Sequence, residues 1–262
     1  MKKYKEITKM VILEQAQYVF NKLAGIIMYG LFIFIFLQLW KYMYTGKDYI
    51  EGYTLNQMVW YVAITELIWN TTRPRSLRKE TTHDIKSGKI AYILNKPYDF
   101  VNYLLAKNAG NVILSTLLYS TIGILITVVI AGPLATFKLE SIPFIFITYI
   151  NSAIVTALVY ILLSMFAFWF EDNEPFFWIY EKFVLLVGVL FPIEIFPKVL
   201  QPIIKFSPIY STNYAVAKMF CDFNFDKFIE ILVFQVGYII LLYLLCKVVY
   251  RKAEKKLSVN GG

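Results

Sequence analysis

Few residues of this sequence are of types that do chemistry, and three acids among them stand close together. Glu171, Asp172 and Glu174 lie within a stretch of four residues. Clustered carboxylates of this kind can bind a divalent cation. The same stretch also has the pattern of a helix start, because Asn173 suits the capping position and Pro175 the first helical turn. We interpret it as a helix start with solvated charges rather than as a metal site.

Motifs for catalysis and for nucleotide binding are missing from the sequence. His83 is the only histidine, which excludes zinc sites that use several imidazoles. The two cysteines, Cys221 and Cys246, form no CxxC pair and fall in different predicted environments, so no internal disulfide is expected. No G-x-x-x-x-G-K-[ST] motif is present, and the chain is therefore expected to bind neither metal nor nucleotide itself.

Polar residues inside apolar stretches are the remaining candidates for a functional site. Glu66 lies in a predicted membrane span, where a charge costs about 2.5–3.5 kcal/mol on insertion scales. It either lines a substrate pathway or lies near the cytoplasmic end and reaches water or Arg73. Asn70 and Asn151 are likewise candidates for a pathway, and hydrogen bonds between helices explain such residues equally well.

The composition indicates a polytopic, all-α membrane protein. Hydrophobic residues make up 58% of the 262 residues and charged residues only 17%, whereas a soluble domain is about 45–50% apolar. The net charge is +8, but the basic residues flank apolar runs. Their arrangement is explained by orientation in a lipid bilayer, and no nucleic-acid partner is expected.

The apolar runs predict one transmembrane domain over residues 1–262 with six helical spans. Residues 1–22 are basic and amphipathic, which favours a helix on the membrane surface over a polar entry to the first span. Residues 194–222 are apolar but broken by Pro202 and Pro208, which indicates an external re-entrant segment. The predicted spans are at about 23–42, 54–72, 108–131, 142–170, 175–193 and 228–248.

The distribution of Lys and Arg predicts which side the termini occupy. Six spans place both termini on one side, together with the loops after the second and fourth spans. Nineteen of the 26 Lys and Arg residues fall on that side and seven on the other. The positive-inside rule therefore predicts cytoplasmic termini.

The segment 76–99, between the second and third predicted spans, has the marks of a shaped surface. Thr81 and Asp84 resemble a capping box, and Gly88 and Pro97 can each end a helix. We expect a short helix near residues 77–87, with Ile85 packed on the membrane domain and the basic residues Arg75, Arg78, Lys79 and Lys86 in water. A basic anchor on anionic lipid is the alternative, but charge alone requires neither a cap nor two helix stops.

Taken in order along the chain, four features resemble the membrane subunits of bacterial type-2 ATP-binding-cassette (ABC) exporters, in the branch of small six-span permeases. They are the basic N-terminal helix, the stretch "LRKETTHDIKSGKIAYILNKPYDF", the stretch "FPIEIFPKVLQPIIKFSPIYSTNYAVA" and the basic tail. The resemblance implies two permease chains, identical or related, in the bacterial cytoplasmic membrane. It also implies two copies of a separate P-loop ATPase subunit, which would bind ATP and Mg²⁺, so the chain itself is not expected to be an enzyme.

The resemblance also implies roles for two sets of residues. The segment 76–99 would be the coupling segment that docks on the ATPase, through Arg78, Lys79, Thr81, Thr82, His83, Asp84, Ile85, Lys86, Ser87 and Gly88. The segment after the fifth span would form an outer gate with Phe191, Pro192, Glu194, Pro197 and Pro208.

The predicted function is a permease subunit that exports an amphiphilic or apolar molecule, such as a peptide, a lipid or an antibiotic. Two alternatives stay open at this point. One is a membrane-embedded enzyme that uses Glu66 and the acids of 171–174. The other is a membrane assembly or immunity factor that binds a partner without transport.

Overall fold

The computed structural model of the protein describes residues 2–90, 98–170 and 172–260, except for the side chains of Asn21 and of residues 255–260. In these ranges the regular structure is helical and contains no strand. The helices are α1 (Lys2–Ala16), α2 (Val19–Met43), α3 (Leu55–Thr72), α4 (Arg75–Lys86), α5 (Phe100–Ala131), α6 (Ile142–Met165), α7 (Glu174–Phe183), α8 (Gln201–Lys205), α9 (Ala215–Cys221) and α10 (Phe225–Asn260).

Four described helical segments are long and apolar enough to cross a bilayer. They are Lys22–Met43, Phe100–Ala131, Leu139–Phe168 and Phe225–Glu254. They correspond to the first, third, fourth and sixth predicted spans. The helices α3 and α7 do not meet the same criteria of length and composition, so the count of six spans stays a prediction.

The helix α5 begins at Phe100, before the predicted start of the third span at residue 108. The prediction placed that start after the charged Lys107. Lys107 forms an ion pair with Glu80 of α4, which accommodates the charge on the helix. Asp99 caps this helix through the amide of Asn102, at 3.0 Å.

Three π-helical turns occur in the described part of the chain. Tyr119–Gly123 lies within α5, Val184–Leu190 continues α7, and Tyr210–Tyr214 precedes α9. A π turn shifts backbone hydrogen bonds out of the α register, and it occurs often at functional sites. The turn after α7 extends that helix to Leu190, where the backbone becomes extended at Phe191.

The central helix of the bundle is α3, which is buried over most of its length and packs against α2, α5 and α9. Its side chains bind the backbone of the π turn after α7. The Thr65 hydroxyl donates to the carbonyl oxygen of Val189 at 2.9 Å, and the Tyr61 hydroxyl donates to that of Gly188 at 3.4 Å. The Asn213 side chain, which lies in the π turn before α9, donates to the carbonyl oxygen of Thr65 at 3.1 Å. Polar side chains of α3 thus satisfy buried backbone groups of an irregular helix.

The N-terminal helix α1 lies along α5. The Thr8 hydroxyl donates to the carbonyl oxygen of Ala106 at 2.9 Å, and Val11 is buried against α5 at Gly110. Met10, Leu13 and Phe20 of this basic segment are exposed. The predicted surface helix therefore has one face docked on protein, and it leaves large apolar side chains uncovered.

The segment 194–222 is divided into short pieces, none of them long enough to span. Ile193–Ile195 forms a turn of 3₁₀-helix, α8 has only five residues, and the π turn leads into α9. Pro202 lies in the first turn of α8, and Pro208 lies just before the π turn. Cys221 and Cys246 are both buried and free.

Candidate functional site

The helix α4 begins at Arg75, directly after Pro74, and not at the predicted cap of Thr81. Thr81 lies in the middle of the helix and is buried, so the capping-box prediction was wrong. Arg73, which precedes Pro74, has an extended backbone. Pro74 then starts the helix, because proline fixes φ near the helical value. The predicted helix stop at Gly88 is present, because its φ of 74° is a conformation that favours glycine. Pro97 lies outside the described residues.

The two faces of α4 differ in exposure. Leu77, Ile85, Thr81 and Thr82 are buried, the apolar pair in a cluster with residues of α5 and α6. Asp84 is half-buried. The opposite face is exposed, and among the predicted docking residues it carries Lys79, His83, Lys86, Ser87 and Gly88. The helix is therefore held on the membrane domain by one side and offers a polar, mainly basic surface on the other.

Arg78 is not on the exposed face, contrary to the prediction that it would stay in water. Its side chain is 17% exposed. The guanidinium forms ion pairs with Glu174 and, at 3.0 Å, with Glu181, and it lies 4.4 Å from the ring centroid of Phe177. The reason is complementary charge, because the acidic start of α7 packs beside this basic helix.

Glu181 accepts most of the hydrogen bonds in this group of contacts. Its carboxylate accepts two hydrogen bonds from Arg73, one of them at 2.9 Å, and a further one from the Tyr160 hydroxyl at 3.0 Å. Together with Arg78 it forms what we name the Arg–Glu cluster (Arg73, Arg78, Glu174 and Glu181). Charges that are this well bonded are tolerated in a partly buried setting.

The acidic stretch 171–174 takes part in this cluster through Glu174. Glu171 lies outside the described residues. Asp172 accepts a hydrogen bond from the amide of Glu174 at 3.0 Å. Asn173 occupies the capping position of α7 but makes no capping bond, so its predicted role was wrong. Its buried amide instead donates to the Thr82 hydroxyl at 3.2 Å. In the described part of the chain, no three His, Cys, Asp or Glu side chains gather as a metal site would require.

The predicted pathway residues lie in two different surroundings. Asn70 donates to the carboxylate of Glu66 at 2.7 Å, while Arg73, the partner considered for Glu66, binds Glu181 instead. Asn70 also lines a polar cavity of about 230 Å³ with Lys22, Arg75 and Asn108. Asn151 donates to the Gln235 side chain at 3.3 Å, which is a bond between α6 and α10.

A comparison with protein families gives this arrangement a context. The family model described as "ABC-2 family transporter protein" matches residues 23–261. The chain belongs to this family. It is accordingly a permease of a type-2 ABC transporter, an integral membrane subunit for transport that works with an ATPase subunit. A search among curated proteins found no similar one. The helix α1 precedes the matched residues.

At the opposite end of the permease from α4, two of the predicted gate residues, Phe191 and Glu194, take part in a polar and aromatic cluster. Glu194 accepts a hydrogen bond from the Tyr214 hydroxyl at 2.7 Å and lies 3.6 Å from the Lys218 ammonium. Phe191 packs edge-on against Trp40, with ring centroids 6.0 Å apart. Pro192 is buried, and Pro208 is half-buried. Pro197 is exposed, and its carbonyl oxygen accepts from the amide of Leu200.

Tyr53 links this cluster to the loop before α3. The Lys218 ammonium donates to the Tyr53 hydroxyl at 3.2 Å and also pairs with Asp222 at 2.9 Å. Burial, and secondarily the Glu194 carboxylate, raise the pKa of Tyr53 far above its usual value. The phenol of the permease therefore stays neutral at any physiological pH and acts as an acceptor for Lys218.

The sequence reasoning missed Glu181 and the role of Arg73 as its partner. One signal was present: the segments after the second and fourth predicted spans carry opposite charges. Two loops on the same side of a membrane can pair in this way. The opposite charges of these two segments, considered together, would have indicated an ion-pair contact between them.

Proposed function

We propose that the chain is the permease subunit of an ABC exporter, and that its ATPase partner acts on α4. One observation carries this proposal. The exposed face of α4 is free for a partner, while its buried face is tied to α7 through the Arg–Glu cluster and through Asn173 and Thr82. A helix fixed in this way can pass a displacement to the rest of the bundle.

The finer features of this proposal follow from the sequence. The helices α3 and α7 would supply the second and fifth of six spans, with both termini in the cytoplasm of a bacterial cell. A second permease chain, identical or related, would complete the pathway, and two ATPase subunits would bind ATP and Mg²⁺. The cargo would be an amphiphilic or apolar molecule.

The contacts suggest how force would cross the membrane. A movement of α4 is passed by Arg78 to Glu181 on α7. The π turn that continues α7 is bonded to α3 by Thr65, and its far end leads to Phe191 and Glu194 at the predicted outer gate. A single helix thus joins the ATPase-docking side to the gate.

The experiment tests docking and transmission separately. The double variant Lys79→Glu and Lys86→Glu reverses two exposed charges of α4. We expect it to reduce co-purification of the ATPase by about tenfold or more, because each 1.4 kcal/mol lost at an interface is a factor of about ten. The matched control, Lys47→Glu with Lys138→Glu, changes exposed lysines outside α4 and should leave co-purification unchanged.

The second arm uses Arg78→Gln, which keeps the docking face and removes a charge from the Arg–Glu cluster. We expect the ATPase to co-purify normally while cargo-stimulated ATP hydrolysis is lost. The conservative variant Arg78→Lys, which keeps a cation beside Glu181, should retain part of that stimulation. Loss of co-purification in the control, or undiminished co-purification in the Lys79 and Lys86 variant, would refute α4 as the docking element.

A further inference from the structure

A groove of about 700 Å³ runs between α5 and α6, and the proposed function makes no use of it. It is lined on α5 from Leu105 to Leu117 and on α6 from Phe146 to Ala157. Small side chains, Ala109, Ala153 and Ala157, leave this space between the two helices. The volume lies within the range of about 300–1,000 Å³ that is usual for small-molecule sites.

The groove is open to the outside of the helix bundle. The two helices that form it, α5 and α6, lie in segments that are each long and apolar enough to span a membrane. Ile113, Leu117, Phe146 and Ile150 on its lining are all exposed. In a bilayer these positions face hydrocarbon. The walls of an empty apolar groove would lack dispersion contacts. In a bilayer, lipid hydrocarbon chains can provide these contacts.

The length of the groove matches a single leaflet. Leu105 and Leu117 are about 18 Å apart along α5, at 1.5 Å per residue, and half of a hydrocarbon core is about 15 Å. The level of Leu105 lies at the polar boundary on the side of α4, because the neighbouring Lys107 pairs with Glu80 of that helix. The groove therefore covers the leaflet on the α4 side.

The hydroxyl groups on the groove lining are bonded within the protein. The Tyr149 hydroxyl lies 2.5 Å from that of Thr116 and donates to Thr71 at 2.9 Å. The lining therefore presents a mainly apolar surface, which suits a hydrocarbon chain.

We infer that the groove binds one acyl chain of a membrane phospholipid from the leaflet on the α4 side. The chain lies along α5 between the alanines, and the headgroup lies at the level of Lys107. This inference rests on membrane insertion of the family and not on the docking role of α4.

The test uses the full-length chain in vesicles of phosphatidylethanolamine and phosphatidylglycerol that contain a phospholipid with a diazirine on its acyl chain. After illumination, mass spectrometry locates the adducts. We expect several-fold more adducts on residues 105–117 and 146–157 than on the exposed face of α10 around Val233. Equal labelling of the two regions would mean bulk lipid only and would overturn the inference.

Groove-filling variants provide the control. Ala153→Phe should reduce the excess labelling to the level of α10, whereas Val233→Phe, on an exposed lipid-facing position, should leave it unchanged. Ala109→Leu is the milder variant if Ala153→Phe does not fold. Persistent labelling in a folded, filled variant would refute the site, and so would a chain-to-chain cross-link in place of a lipid adduct.

Discussion

Gly110 allows α1 to lie directly against α5. A Cβ atom at this position would lie 2.8 Å from the carbonyl oxygen of Thr8 and 2.8 Å from the Cβ of Val11. Real Cβ atoms do not approach a backbone oxygen this closely, so any side chain must push the two helices apart. Gly237 in α10 has the opposite setting, with no atom within 4 Å of the added Cβ.

These two glycines give a matched prediction. Gly110→Ala should destabilise the protein by about 1–3 kcal/mol, as overpacking does. Gly237→Ala should be neutral or stabilising by up to about 1 kcal/mol, because alanine is the better helix former. The measurements are the midpoint of thermal unfolding in detergent and the rate of proteolysis within α1. Equal stability of Gly110→Ala and the wild type would show that α1 does not pack on α5 in this way.

Glu181 is held by more partners than its neighbours in sequence. Two arginines and Tyr160 donate to one carboxylate that is 15% exposed. Loss of this single charge would leave Arg73 and Arg78 facing each other without their shared counter-ion. A partner removed from a partly buried cluster costs more than a surface ion pair is worth, which makes Glu181 the most sensitive position of the contact with α4.

At the scale of elements, the π turn after α7 depends on α3. A π turn leaves carbonyl groups out of the regular helical pattern, and where these groups are buried they need protein partners. Thr65 supplies one, at 2.9 Å from the carbonyl oxygen of Val189. Gly188 in the same turn leaves room for Ile209, whose side chain would lie 2.8 Å from an added Cβ. The turn is therefore a packed feature of the fold.

Thr65→Val tests this dependence with little change of shape. We expect a loss of stability of about 1–3 kcal/mol, since the carbonyl group of Val189 loses a buried donor. Thr121→Val is the control. That hydroxyl is exposed and bonds only within its own helix, so the change should stay within about 0.5 kcal/mol. Thermal unfolding of both variants in the same detergent gives the comparison. Similar values for the two would show that the bond to Val189 contributes little.

Long elements were predictable from the sequence, and short ones only in part. The apolar runs that became α2, α5, α6 and α10 are continuous and need no tertiary information. The start of α4 was misplaced, because a local capping pattern at Thr81 competes with Pro74 and the proline has the stronger constraint. The Arg–Glu cluster joins segments about a hundred residues apart, so its partners depend on packing that periodicity does not encode.

At the scale of the molecule, the ends of the bundle differ in charge and in contacts. The α4 end carries the basic exposed face and the Arg–Glu cluster. The other end carries the Glu194 and Lys218 cluster and the loop between α2 and α3. Both native cysteines are fully buried, so their thiols are shielded from a polar reagent. Single introduced cysteines can therefore report on sidedness in an otherwise unaltered chain.

Lys47→Cys and Ser87→Cys make the sidedness testable. Both positions are exposed, one in the loop after α2 and one at the end of α4. A membrane-impermeant maleimide should label Lys47→Cys in intact cells and should label Ser87→Cys only after permeabilisation. The wild-type chain should remain unlabelled in both cases. Labelling of Ser87→Cys in intact cells would contradict cytoplasmic termini and, with them, the proposed docking of an ATPase on α4.

The pairing of Arg78 with Glu174 has a consequence for biosynthesis. The two residues are 96 positions apart, and at synthesis rates of about 5–20 residues per second the acid follows the arginine by roughly 5–20 s. During that interval Arg78 lacks both of its partners on α7, Glu174 and Glu181. If α4 lies on the cytoplasmic side, as the distribution of Lys and Arg predicts, the unpaired Arg78 would contribute to the orientation of the nascent helices. The same charge would then serve first to orient the chain and afterwards to hold α4 in place.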